Sequence, residues 1–178
     1  MNVSLKRWNL DDAAYLTRLC QRVDRLYLDY LPQPYNITDA QFFISNAGKR
    51  EGKTGIYRAI LFDGQIVGSI SVEVCSDVRS KDSNLGYMVL PEFCRLGIAT
   101  QAVNLAVAEA FSTFDILRVT AEVAEHNTAS RALLKKCNFL LEGVKDCGFY
   151  KDGKACSLCI YGLLRRNYEN HRKINAWI

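Results

Sequence analysis

The sequence predicts a mixed α+β (α/β) fold, with a sheet that is largely antiparallel at first and carries crossover helices later. Three observations predict it. The stretch from Gly86 to Phe114 opens with an apolar run, Gly86-Tyr87-Met88-Val89-Leu90, stopped by Pro91. After the small-residue segment Arg95-Leu96-Gly97-Ile98-Ala99-Thr100, the spacing turns helical, with Ile98, Ala102, Val103, Ala106, Val107, Ala110, Phe111 and Phe114 on one face. Further back, Ile56–Phe62 and Gln65–Cys75 flank Asp63-Gly64, a strong hairpin signal. Last, the elements run β-α-α-β-β-β-α-β-α-β-β, which calls for a mixed sheet.

Val3–Trp8 alternates and reads as the first strand. Asp11 can cap a helix from Asp12 to about Val23, burying Ala14, Leu16, Leu19, Cys20 and Val23. The stretch from Tyr27 to Tyr35 is aromatic and broken by Pro32 and Pro34; its tyrosines and leucines suit either core packing or one wall of a substrate cleft. Thr38-Asp39-Ala40-Gln41 resembles a capping box for a second helix ending near Lys49. The segment from Ser76 to Asn84 is polar and reads as an exposed loop. Leu117–Val123 reads as a strand, and Asn127-Thr128-Ala129-Ser130 opens a helix that turns Ala129, Leu133, Leu134 and Cys137 inward. Asn138 can end that helix in the left-handed conformation. Phe139–Val144 and Ala155–Leu164 read as strands joined by a polar loop holding Tyr150 and Gly153, and residues 165–178 as a charged tail.

A chain of 178 residues suits one domain, 1–178, with a sizeable core. Hydrophobic content of 49% and charged content of 24% are those of an ordinary globule. A net charge of +4, thinly scattered, gives little support to a nucleic-acid face. Met1–Leu10 carries charge and lacks the apolar core of a signal peptide, and no apolar run approaches membrane length. Seven widely spread cysteines, an odd number, fit reduced thiols in a cytoplasmic protein. Cys156-Ser157-Leu158-Cys159 has C-x-x-C spacing, but residues three apart on a strand face opposite ways, so no metal site is expected there.

The start of the long helix has a chemical use. First-turn amides lack intrahelical partners and carry partial positive charge, and phosphate binds where small residues such as Gly97 and Ala99 keep them open. Arg95 adds a forked cation.

Gly86-Tyr87, Gly97-Ile98-Ala99-Thr100, Asn127-x-x-Ser130, Phe139-x-x-Glu142-Gly143 and Tyr161 together resemble the GNAT N-acetyltransferases, within them the RimJ/RimL-like branch that acetylates protein N-termini. The resemblance implies the GNAT fold: a mixed, mostly antiparallel sheet of about seven strands, helices on both faces, and strands 4 and 5 splayed. It implies acetyl-CoA as co-substrate, with its pyrophosphate on Arg95, Leu96, Gly97, Ile98, Ala99 and Thr100. The pantetheine arm would pair with Met88, Val89 and Leu90, and Asn127 and Ser130 would meet the cofactor near its sulfur. Val89 N–H would hold the oxyanion, Ser130 would protonate the thiolate, and Glu73 would take the amine's proton through water. Tyr30 and Tyr150 would line the acceptor channel.

The sequence departs from the superfamily at four places. Cys94 stands where Gln or Arg is usual, Leu134 where many relatives carry a general-acid Tyr, Asn84 where many carry a Glu base, and Asn138 where Gly usually precedes the Phe. The expected acceptor is a protein or peptide α-amine, on a monomer or homodimer. A small amine such as a polyamine or an antibiotic is the alternative acceptor, and a catalytically silent acyl-CoA-binding module the alternative function.

Overall fold

The computed structural model describes residues 2–23 and 31–175. Its strands are β1 (Val3–Arg7), β2 (Gly55–Phe62), β3 (Gln65–Val74), β4 (Ser83–Val89), β5 (Arg118–Ala124), β6 (Leu140–Lys151) and β7 (Lys154–Leu164). They form one sheet in the order β1-β2-β3-β4-β5-β7-β6, antiparallel at every pairing except the parallel β4–β5.

Alternation along the strands divides the apolar residues between two faces. Ile56, Ile60, Ile70, Val72, Val119, Ala121 and Val123 turn toward α3 (Ile98–Thr113) and α4 (Thr128–Lys136). Met88 and Leu90 turn the other way, against α1 (Ala13–Arg22) and α2 (Ile37–Arg50). Helix α3 buries the same seven positions its periodicity marks, from Ile98 to Phe111, with Phe114 packed at the margin. Such side chains contribute about 1.5–3 kcal/mol each on leaving water, Ala rather less, which fixes the helix against the sheet.

The helix starts differ from expectation. Asn9, not Asp11, caps the first helical turn: its side chain accepts from Asp12 N–H while the Asp12 carboxylate accepts from Asn9 N–H. Ala13 is buried in place of Ala14, which is exposed. In the same way Asn36, with Asp39 as its partner, starts α2 two residues before Thr38. Asn is as good an N-cap as Asp and better than Thr, so the earlier residue takes each role. Ala129 is exposed, because α4 turns Leu134 into the core and leaves its first turn outside. Asn138 ends α4 with φ 63°.

Two loops are shorter than expected. Ser83 is fully buried and already belongs to β4, leaving a short 3-10 turn at Asp77–Arg79. Strand β6 runs through Tyr150 to Lys151 and turns at Asp152-Gly153, where φ is 50° and 78°. Register shifts around Gly143 and residues 146–148 let polar residues ride in that edge strand.

The tail becomes helix α5 (Arg165–Asn175), and Arg165 anchors it. Its guanidinium donates to the carbonyls of Ile116, Phe111 and Phe114 at 2.7–2.8 Å and lies over the Phe111 ring. The orphan carbonyls at the end of α3 thereby gain a charged donor. None of the seven cysteines forms a disulfide; Cys159 lies in the core and Cys156 is half-buried on the opposite strand face. No helix among the described residues is long and apolar enough to cross a membrane.

Candidate functional site

β4 and β5 run parallel but share a single pair, Asn84 with Thr120. That end is held shut. Thr120 Oγ1 donates to Asp82 at 2.7 Å, Ser83 Oγ to the Arg118 carbonyl at 3.1 Å, and Leu117 N–H to the Lys81 carbonyl at 2.7 Å. Arg118 also binds Glu142. Toward their C-terminal ends, at Val89 and Ala124, the strands part. The loop before α3, the first turn of α4 and the β6–β7 arm all gather at this open end.

The ladder between β3 and β4 decides which β4 amides face the gap. Cys75 N–H donates to the Asp82 carbonyl at one end and Leu90 N–H to the Val67 carbonyl at the other. In an antiparallel pair the bonded residues alternate, so Asn84, Gly86 and Met88 turn their amides to β3, as Leu90 does. Tyr87 and Val89 turn theirs into the gap, beyond the last β5 partner. Of Met88, Val89 and Leu90, only Val89 therefore offers a gap-facing N–H, and Tyr87 offers a second. The side chains of Met88 and Leu90 belong to the α1–α2 core.

The loop before α3 is open. Gly97 is its N-cap, with φ 78° and no side-chain cap bond. Among the described residues, no acceptor is bonded to the amides of 95–100, and α3's first internal bond comes from Gln101. Nothing lies within 4 Å of where a Gly97 Cβ would stand. Arg95 also adopts a left-handed conformation, φ 64°. Arg95, Leu96 and Gly97 are exposed, Ile98 is buried under the helix, and Ala99 and Thr100 sit at the rim. Cys94, where the family places Gln or Arg, is exposed with its thiol toward the Leu90 carbonyl. A cradle of free amides at a helix start, without a side chain in the way, suits a diphosphate.

At the far side of the gap, Asn127 caps α4 by accepting from Ser130 N–H at 3.1 Å. Ser130 Oγ lies 2.6 Å from the hydroxyl of Tyr87. Tyr87 projects from β4 toward the α3–α4 face, so this contact bridges β4 to α4 beside the parted strands. Burial pushes the Tyr87 phenol up to about 12, with the Ser130 contact acting in the opposite sense.

Glu73 is not brought together with Val89. It pairs with Asn84, five residues back along β4 from Val89, which at ~3.4 Å per residue places it about 17 Å away, toward the closed end. Its carboxylate is bound by Arg50, whose guanidinium also lies over the Tyr57 ring. Tyr150 is 75% exposed on the β6–β7 arm, opposite Ala155. Tyr30 lies outside the described residues, and Tyr35 is buried in the α1–α2 core.

Sequence reasoning passed over two residues. The Tyr87–Ser130 contact joins positions 43 apart, and only the sheet register reveals it. Glu122 is exposed on β5, two residues past the Asn84–Thr120 pair and on the face opposite α3. Its place beyond the last pair could not be read without knowing where the strands separate.

Comparison with known proteins shows the family. The family model described as an acetyltransferase (GNAT) domain matches residues 2–140. "Putative ribosomal N-acetyltransferase YdaF" of Bacillus subtilis (strain 168) is 34% identical over 118 residues, 66% of this chain and 64% of the relative. The match thus spans under two thirds of that relative's length. Mycobacterium smegmatis RimJ, solved in complex with CoA-disulfide, is 21% identical with a TM-score of 0.81, covering 98% of this chain and 88% of its own. A chimera of the spermidine N-acetyltransferase SpeG from Vibrio cholerae is 16% identical with a TM-score of 0.82, covering 96% and 99%. These two likenesses show the shared fold.

Proposed function

Because this chain belongs to the acetyltransferase (GNAT) domain family, we propose that it moves an acetyl group from acetyl-CoA directly onto a primary amine, the α-amine of a protein or peptide N-terminus. One observation carries the proposal: a cradle of amides at 95–100, unbonded among the described residues, opens beside a gap toward which Val89 and Tyr87 turn their N–H groups.

The chain's own groups divide the work. The amides of 95–100 and the Arg95 guanidinium bind the diphosphate. The β4 edge, through Val89 and Tyr87, aligns the pantetheine arm as an added strand. Val89 N–H donates to the thioester oxygen as charge develops on it. Asn127 fixes the first turn of α4 and so the position of Ser130, whose hydroxyl gives its proton to the departing thiolate and regains one from water. The carbon–sulfur bond breaks as the carbon–nitrogen bond forms, and the amine's proton leaves to water.

The α-amine reading is supported by the place of Glu73, away from Val89. An α-amine with pKa ~8 is about one tenth neutral at pH 7, whereas a lysine with pKa ~10.4 is neutral to only a few parts in ten thousand. With Glu73 clamped by Arg50 near the closed end, an acceptor that is already partly neutral needs least help. Glu122, exposed on the open face of β5, is placed to attract the ammonium form.

The test is thiol release from acetyl-CoA by purified protein with peptides differing in N-terminal residue, N-terminally blocked peptides and polyamines. Turnover with free N-termini, lost on blocking, supports the proposal. Turnover with polyamines alone would move the acceptor to small amines. Saturable acetyl-CoA binding without turnover would leave a silent binding module.

A further inference from the structure

We propose that Tyr87 is a positioning residue for acetyl transfer: its hydroxyl donates to Ser130 Oγ and thereby aims the serine's own hydrogen into the gap between β4 and β5. This rests on the acetyl-transfer reading above and assigns a role to a residue that reading leaves as backbone.

A serine in the first turn of a helix ordinarily turns its hydroxyl hydrogen back onto a nearby carbonyl. Here the Ser130 hydroxyl does not follow that pattern, unlike Thr17, whose Oγ1 donates to the Ala13 carbonyl. Ser130 Oγ instead meets the Tyr87 hydroxyl at 2.6 Å and, among the described residues, no other partner. When the phenol donates, the serine oxygen has accepted and its own hydrogen must point elsewhere, and the parted strands leave the gap open. The phenol is the better donor of the two hydroxyls, which sets that direction.

Tyr87 is well suited to stay a donor. It is half-buried opposite Ile70, packed on the α3-side core, and burial disfavours its phenolate. The titratable group that bears on it from α4 is Cys137, a buried thiol itself pushed up to about 11 and therefore neutral. The phenol thus keeps its hydrogen across the range in which an amine would be acetylated. It passes no proton to substrate; it orients the one that Ser130 gives. No Tyr stands at position 134, where many relatives carry their acid, and Leu134 is fully buried.

The experiment is a double-mutant cycle on kcat for acetyl-CoA and an α-amine peptide, using Tyr87→Phe, Ser130→Ala and the pair. Losing one neutral hydrogen bond should lower kcat about tenfold in Tyr87→Phe. KM for acetyl-CoA should stay within about twofold, and Tyr87→Phe should add nothing once Ser130 is Ala. Ser130→Thr, which keeps a hydroxyl, should stay within a few-fold of wild type. A thioester with a more acidic leaving thiol should shrink the Tyr87→Phe defect, since such a thiolate needs less protonation. Independent, multiplying losses, or a defect confined to melting temperature and KM, would overturn the role of Tyr87 while leaving acetyl transfer intact. Absence of wild-type turnover would overturn both.

Discussion

Asn84 of β4 stands opposite Thr120 of β5, and this is the last place along their length where the two parallel strands pair. Everything assigned to the site lies on the open side of that pair. The hydrogen bonds from Thr120 to Asp82 and from Ser83 to the Arg118 carbonyl explain why the separation begins there.

The alternation along β4 separates two adjacent proline substitutions. Val89→Pro removes an N–H that faces the gap and spares the β3 ladder, whereas Met88→Pro removes one that the ladder uses. Val89→Pro should lower kcat about 10²-fold or more with a modest loss of stability. Met88→Pro should cost about 3 kcal/mol of stability. Steady-state kinetics and thermal melts on the two proteins check the contrast.

Gly97→Ala should weaken acetyl-CoA binding about tenfold, measured by calorimetry. The added methyl meets nothing in the protein, yet it projects into the cradle and imposes a left-handed φ of 78° on an L-residue. The conformational cost to folding is about 1 kcal/mol, so the binding loss should exceed what stability alone explains.

The acceptor's identity shows in the pH profile. With Glu73 held by Arg50 away from Val89, kcat/KM should rise about tenfold per pH unit and level off near the α-amine pKa of ~8. A rise continuing toward pH ~10 would point to a lysine-like amine instead.

Arg165→Ala should destabilise the fold by about 2–4 kcal/mol. It withdraws a charged donor from the carbonyls of Phe111 and Phe114 at the end of α3 and of Ile116 just beyond it, and the cation from the Phe111 ring. Acetyl-CoA affinity should hardly change, because these contacts lie at the opposite end of α3 from Gly97. Denaturant melts and calorimetry on one protein sample check both halves.

Much of the fold was legible because its strongest signals are local. The α3 face from Ile98 to Phe111, the Asp63-Gly64 hairpin turn and the left-handed Asn138 each rest on a few neighbouring residues, and each appears as read. The open start of α3 at Gly97 was legible for the same reason. Cap identities were not, since Asn9 and Asn36 compete with other cap-forming residues, Asp11 and Thr38, only two positions away. The β6–β7 arm was hidden by bulges that let polar residues stay in a strand. Inside the candidate site the decisive facts are matters of register. That Glu73 sits opposite Asn84, that Leu90 N–H is bonded to Val67, and that Tyr87 reaches Ser130 all depend on pairings between segments far apart in the chain.

The most direct test of the central claim is mass-spectrometric location of the acetyl group on peptides carrying both a free N-terminus and an internal lysine, after incubation with acetyl-CoA and this protein. The account predicts saturable dependence on acetyl-CoA and modification at the N-terminal amine, lost in Ser130→Ala. Peptides left unmodified beside a protein that shows no saturable acetyl-CoA binding would contradict it.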